Sequence, residues 1–122
     1  MSKYIAKDMV WVGCIFCSIV ARDIPAQVVY EDERVLAFRD INAVAPEHIL
    51  VIPKQHIARL DEQGAEDCAK AVFSAIGHLV RTLDFADAGY RVVCNTGPDG
   101  GQTVAHLHFH VLGGRQMQWP PG

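Results

Sequence analysis

Positive charge is scarce. Eleven Lys and Arg stand against 14 Asp and Glu, leaving a formal net charge of -3 at pH 7. A chain without a cationic excess has no electrostatic footprint for a nucleic-acid backbone, so nucleic acid is excluded as an expected partner. A mononucleotide stays open, because one phosphate can be held by backbone N–H groups and histidines. Cysteine is sparse too, with four residues of which only Cys14 and Cys17 are close together. That is too few for a stapled secreted scaffold and points to a reducing, cytoplasmic setting. No apolar run reaches the ~20 residues a membrane helix needs, and no membrane association is expected. Met9 to Ala21, following Lys3 and Lys7, has the outline of a secretion signal. Asp8 interrupts its basic region, however, and no small-x-small pair closes it before Arg22. A buried amphipathic helix fits better, with Ile15, Phe16, Ile19 and Val20 at helical spacing.

What is there is an ordinary globular mixture. Half of the 122 residues are apolar and 20% are charged, enough for one domain. With no repeat or linker, that domain is expected over 1–122, its core over 13–113 and a tail over 114–122. Val28 to Tyr30 and Val35 to Phe38, separated by Glu31-Asp32-Glu33-Arg34, predict a hairpin. His48 to Pro53 predicts a strand too continuously apolar to be a half-exposed edge. From Ala65 to Leu83 the period changes to helical, with Ala69, Val72, Phe73, Ile76, Leu79, Val80 and Leu83 in one stripe and Glu66, Lys70 and Arg81 opposite. Gly77 weakens that helix and suggests close helix–sheet packing. Tyr90 to Asn95 and Val104 to Leu112 predict two further strands, flanking a loop at 96–101 too glycine-rich to be regular. The fold class is α+β: an antiparallel sheet of about five strands, one long helix and a short N-terminal helix.

His106-Leu107-His108-Phe109-His110-Val111 is the most informative segment. Side chains of a strand alternate between faces, so Leu107, Phe109 and Val111 seal one side while the three imidazoles share the other. Three readings compete. One is a set of half-buried polar residues, although three at period two beside a fully apolar face are hard to obtain by accident. A second is a metal site, although three such positions span ~13 Å of strand, long for one ion. The third is nucleophilic and acid–base chemistry by imidazole, whose ordinary pKa of ~6.5 leaves it mostly neutral and able to attack phosphorus. Gly100-Gly101-Gln102-Thr103, directly before, suggests a nest of N–H groups for an anion with a hydroxyl beside it.

These residues resemble the histidine triad superfamily. His106-Leu-His108-Phe-His110-Val-Leu112 is similar to its alternating histidine motif. Cys14-Ile-Phe-Cys17, Asp23-Ile-Pro25, Phe38-Arg-Asp40-Ile41, Leu50-Val-Ile-Pro53-Lys-Gln-His56 and Gly100-Gly-Gln-Thr103 sit at further landmarks. The tail Gly113 to Gly122 is similar to the Hint branch in particular.

The resemblance implies a homodimeric hydrolase that cleaves purine nucleoside phosphoramidates or acyl-adenylates to the monophosphate through a nucleotidyl-histidine intermediate. It makes His108 the nucleophile, with His110 and the Gly101-Gln102-Thr103 loop on phosphate oxygens. Thr103 stands where serine is usual, contacting phosphate and leaving group, and His106 supports His108 from behind. Phe16, Ile19, Phe38 and Ile41 form the slot for the base, Asp40 accepts from ribose hydroxyls, and Asn95 adds a polar contact. Trp119 is expected near the partner subunit's site. Ile19 could equally be plain core and Asp40 a turn cap. Ala105 departs from the aromatic common in relatives.

No cofactor is required for that reaction. A structural zinc is compatible with the cysteine pair, because His56 and His106 match positions that accompany such a pair in some relatives and complete a Cys14-Cys17-His56-His106 set. Dinucleoside polyphosphate hydrolysis is the neighbouring alternative, disfavoured by the tail. A nucleotide-binding interaction module is the non-enzymatic one.

Overall fold

The computed structural model describes residues 13–122, with the backbone of two short strands before them, β1 (Tyr4–Ile5) and β2 (Val10–Trp11), which pair antiparallel. Five strands make the main sheet: β3 (Val28–Glu31), β4 (Val35–Arg39), β5 (Glu47–Pro53), β6 (Tyr90–Val93) and β7 (Phe109–Gly113). Their order is β3-β4-β5-β7-β6, antiparallel at every step. Helices α1 (Ile15–Val20), α2 (Ala65–Thr82) and α3 (Gly97–Gly100) complete the α+β fold. Among the described residues no helix is long and apolar enough to cross a membrane.

Alternation explains why β4 is apolar over Val35–Phe38 and β5 over Ile49–Pro53. Val35, Ala37, Ile49 and Val51 join Leu107, Phe109, Val111 and the inner stripe of α2 in one core. Leu36, Phe38, Leu50 and Ile52 face the other way and meet Phe16 and Ile19 of α1. Both faces of the central strands are therefore covered, which a period-two strand with no polar face requires. The β3–β4 turn is held by Asp32, whose Oδ1 accepts the N–H of Arg34 and of Val35, each at 2.8 Å.

Several elements differ from the sequence expectation. The helix read across Met9 to Ala21 exists only over Ile15–Val20, because Cys14 occupies its N-cap and Val10–Trp11 is already strand; Met9 and Val12 lie outside the described residues. Phe73 leaves the buried stripe of α2: it is 55% exposed, although its ring edge meets Phe109 with centroids 5.2 Å apart. Gly77 does not serve helix–sheet packing, since a Cβ there would meet only the flexible end of Arg81, at 3.4 Å. The loop at 96–101 contains one regular helical turn, α3, with Pro98 in its first turn.

The largest difference is at the histidine segment, where the ladder begins at Phe109 instead of Val104. Pro53 is the reason. Register places Ile49 opposite Val111 and Val51 opposite Phe109, so the next rung would set Leu107 opposite Pro53, which has no N–H to give. Leu107 instead donates to the Ile57 carbonyl at 2.6 Å. Residues 104–108 thus hang beside the strand end, while Leu107, Phe109 and Val111 still all reach the α2 core.

Candidate active site

Register builds the floor of the site. Phe38 pairs with Leu50, and Leu50 with His110, so the three lie in one row across β4, β5 and β7. Above them α1 brings Phe16, whose ring stands edge-on to Phe38 at 5.7 Å and to His108 at 5.1 Å. Between them lies a cavity of about 390 Å³. Phe16, Ile19, Phe38 and Ile41 are among its apolar lining, and Asp40, Thr103, His108 and His110 among its polar lining. Ile41 is 96% exposed at the mouth.

The hydrogen bonds assign a tautomer to each ring. His108 is buried, and its Nδ1–H donates to the His106 carbonyl at 2.7 Å. The lone pair is therefore on Nε2. His106 is fully buried and donates Nε2–H to the Pro53 carbonyl at 2.8 Å, so its Nδ1 lone pair faces Cys14 Sγ at 3.4 Å and Cys17 Sγ at 3.6 Å. Burial pushes the His106 pKa down to about 4, and the neighbouring His56 and His108 push the same way. This ring stays neutral.

His48 is the residue sequence reasoning missed. Its Nδ1 accepts the Val44 N–H at 3.1 Å, which puts the proton on Nε2, 2.9 Å from His110 Nδ1 and 3.3 Å from Asp40 Oδ2. His110 Nδ1 is then an acceptor, and its own proton sits on Nε2. Burial lowers the pKa of both rings; Asp40 opposes this at His48, and the neighbouring His108 and His48 add to it at His110. One signal was available: His48 shares the parity of Leu50 and Ile52, the face that carries the triad. Asp40 does double service, its Oδ1 accepting the Asn42 N–H at 2.8 Å.

Other expected residues fall elsewhere. The Gly101 and Gln102 N–H groups do not form an open anion nest, because they close the turn on the Pro98 and Gly97 carbonyls, each at 3.1 Å. The Gln102 side chain is likewise engaged, accepting from Gly97 N–H and donating to the Ala58 and Val104 carbonyls. It clamps the loop, which leaves Thr103 as that loop's group lining the cavity. Asn95 lines a separate concavity with Arg91, Arg115 and the tail. Trp119 is 81% exposed and does not line the histidine cavity of its own chain.

Behind His108, the ligand atoms of Cys14, Cys17, His56 and His106 all lie within 4.8 Å of one another. His56 Nδ1 is 3.2 Å from Cys17 Sγ, and burial lowers its pKa against the pull of Glu62. Tetrahedral zinc bonds to sulfur and nitrogen set neighbouring ligand atoms roughly 3.3–3.8 Å apart. The sulfur–nitrogen pairs at 3.2, 3.4 and 3.6 Å are close to that spacing. Two thiols with two imidazoles are a donor set that suits the ion, and the His106 Nε2–H bond to Pro53 is the outer contact a ligating imidazole needs.

An antiparallel five-stranded sheet with three alternating histidines at a strand entrance, roofed by one short helix, defines the histidine-triad class. A model of the HIT domain matches residues 21–117. An uncharacterised HIT-like protein of Synechococcus elongatus is 55% identical over 114 residues, covering 88% of this chain and 96% of that protein. A 14 kDa zinc-binding protein of Zea mays is 49% identical over 88% of this chain and 87% of its own. A HIT family hydrolase of Legionella pneumophila matches with a TM-score of 0.86 at 45% identity, covering 90% of this chain and 100% of that one. The chain belongs to the HIT domain family.

Proposed function

We propose that this protein is a Hint-type nucleoside phosphoramidase, hydrolysing purine nucleoside phosphoramidates or acyl-adenylates to the nucleoside monophosphate. The observation that carries this reading is the His108 Nδ1–H bond to the His106 carbonyl. In the neutral ring this bond places the lone pair on Nε2, and the ring lines the cavity, the arrangement a nucleophile needs.

The purine lies in the apolar end between Phe16, Ile19, Phe38 and Ile41, and the ribose near Asp40. His108 Nε2 attacks phosphorus. As Nε2–P forms, the bond from phosphorus to the amine nitrogen breaks and that nitrogen takes a proton from solvent beside the Thr103 hydroxyl, whereas an acyl group leaves as its carboxylate. Water then attacks phosphorus and gives one proton to solvent, the Nε2–P bond breaks with its electron pair returning to Nε2, and the monophosphate leaves. Splitting one hard displacement in two lowers the barrier of each, and the rest is positioning and charge stabilisation. His110 Nε2–H serves a phosphate oxygen, with His48 and Asp40 behind it. Cys14, Cys17, His56 and His106 would hold a zinc ion, which would cross-link α1 to the sheet away from the reacting atoms. The protein acts as a homodimer: β6 is a sheet edge with Tyr90 and Val92 exposed, and the exposed Trp119 reaches the partner's site.

The test compares turnover of adenosine 5′-phosphoramidate and of diadenosine polyphosphate by the same preparation. Expected is turnover of the first, a covalent adenylyl adduct found by mass spectrometry, and a loss of more than ~10³-fold in His108→Ala with AMP binding kept. Preference for the diadenosine substrate gives the neighbouring activity. AMP binding without turnover of either leaves a binding module.

A further inference from the structure

The Cys14-Cys17-His56-His106 cluster lies outside the cavity, and the reaction above makes no use of it. It is nevertheless one hydrogen bond from the nucleophile. The His106 ring points at the thiols, while the carbonyl of the same residue accepts the His108 Nδ1–H at 2.7 Å. Segments 53–57 and 106–107 are joined twice, by His106 Nε2–H to the Pro53 carbonyl and by Leu107 N–H to the Ile57 carbonyl. One ligand of the cluster sits in each segment, and the thiols stand at the start of α1. That helix carries Phe16, packed edge-on against both His106 and His108, with centroids 5.9 and 5.1 Å away. Because residues 104–108 are outside the β5–β7 ladder, no rung of the sheet holds the His106 carbonyl in place.

We infer that the metal-loaded cluster positions the nucleophile: ligation of His106 Nδ1 fixes the main chain at His106, whose carbonyl then holds His108 with its Nε2 lone pair toward phosphorus. Cys14, Cys17 and His56 are positioning residues for the reaction and touch no reacting atom. Without ligation the carbonyl moves, the Nδ1–H bond lengthens, and the ring is released to the tautomer that carries its proton on Nε2 and cannot attack. Displacements near 1 Å at a reacting centre lower rates by up to ~10²-fold. Phe38 on β4, and Asp40 and Ile41 just after it, are set by the sheet, whereas Phe16 and Ile19 ride on α1 with the thiols, so the loss is read in kcat together with the state of the His108 ring.

The inference rests on the zinc and nucleophile readings above, and the experiment separates the three. Wild-type protein is prepared zinc-loaded, chelator-stripped under thiol reductant, and stripped then reloaded, with Cys14→Ser as a second route to the unloaded state. Metal content and circular dichroism are measured on every sample. Imidazole nitrogen–proton NMR follows the His108 Nδ1–H resonance, assigned by its loss in His108→Ala. Expected is a sharp downfield resonance in the loaded protein, broadened or lost on stripping and restored by zinc. In parallel kcat falls at least ~10-fold and is restored by zinc. Folded, stripped protein that keeps both the resonance and kcat overturns the inference alone. Unfolding of both unloaded samples also overturns it, making the cluster a fold-holding clamp. Protein that takes up no zinc overturns the metal reading and this inference with it. Loaded protein that shows the resonance yet hydrolyses no phosphoramidate overturns the reaction reading, and the NMR arm still decides the positioning.

Discussion

Among single residues, His48 has the widest reach. It is 6% exposed, sits between Asp40 and His110, and among the described residues has that carboxylate as its one charge partner. Burial lowers the pKa of His48 and His110 below the ~6.5 of an unfolded chain. As pH falls through ~6.5 the unfolded chain therefore takes up protons first, and stability declines from there down towards the folded values. Urea unfolding followed from pH 7 to pH 5 is expected to show that decline, with a flatter slope for His48→Gln. A wild-type stability that holds level or rises on acidification would contradict the assignment of these rings as buried and neutral. His48 was hidden in the sequence because its partners lie 8 and 62 positions away, and only the register of β4, β5 and β7 brings them together. Gln102 was misjudged for a related reason. Glycine-rich composition shows that a loop turns tightly but not whether its amides face outward or close the turn on themselves.

At the scale of elements, most of the fold was legible. The unbroken apolar run of β5 required cover on both faces, and α2 and α1 supply it. The helical stripe of α2 is correct except at Phe73, which lies on the flank. Boundaries were less legible where a single residue decides them: Cys14 starts α1 by capping it, and Pro53 ends the β5–β7 ladder by lacking a proton. Two glycines give opposite expectations. At Gly113 an added Cβ would come within 2.7 Å of the buried Phe85 ring, so Gly113→Ala should lower stability by about 1–3 kcal/mol through overpacking. At Gly77 the nearest neighbour is the movable Arg81 guanidinium, so Gly77→Ala should raise stability by up to about 1 kcal/mol through helix propensity. Denaturant midpoints of the two variants check both, and equal shifts of the same sign would refute the packing described.

For the molecule as a whole, β6 is one of the two edges of the main sheet, the other being β3. An edge strand with exposed Val92 and Tyr90 invites pairing, and a second copy is the partner the resemblance implies. Light scattering is expected to give twice the 13.4 kDa chain mass, and Val92→Lys is expected to shift it toward one chain. A monomer at all concentrations would remove the dimer and the shared role of Trp119 together. Association was not legible in composition, because scattered surface apolar residues are ordinary and only the sheet order shows which of them line an edge.

The missing proton of Pro53 has an effect at a distance. It releases the neighbouring chain from the pleat just before the reactive ring, so two imidazoles of equal parity turn to different tasks: one faces sulfur, the other an open slot. A regular strand would have pressed both onto a single surface, with no division between the thiol cluster and the cavity.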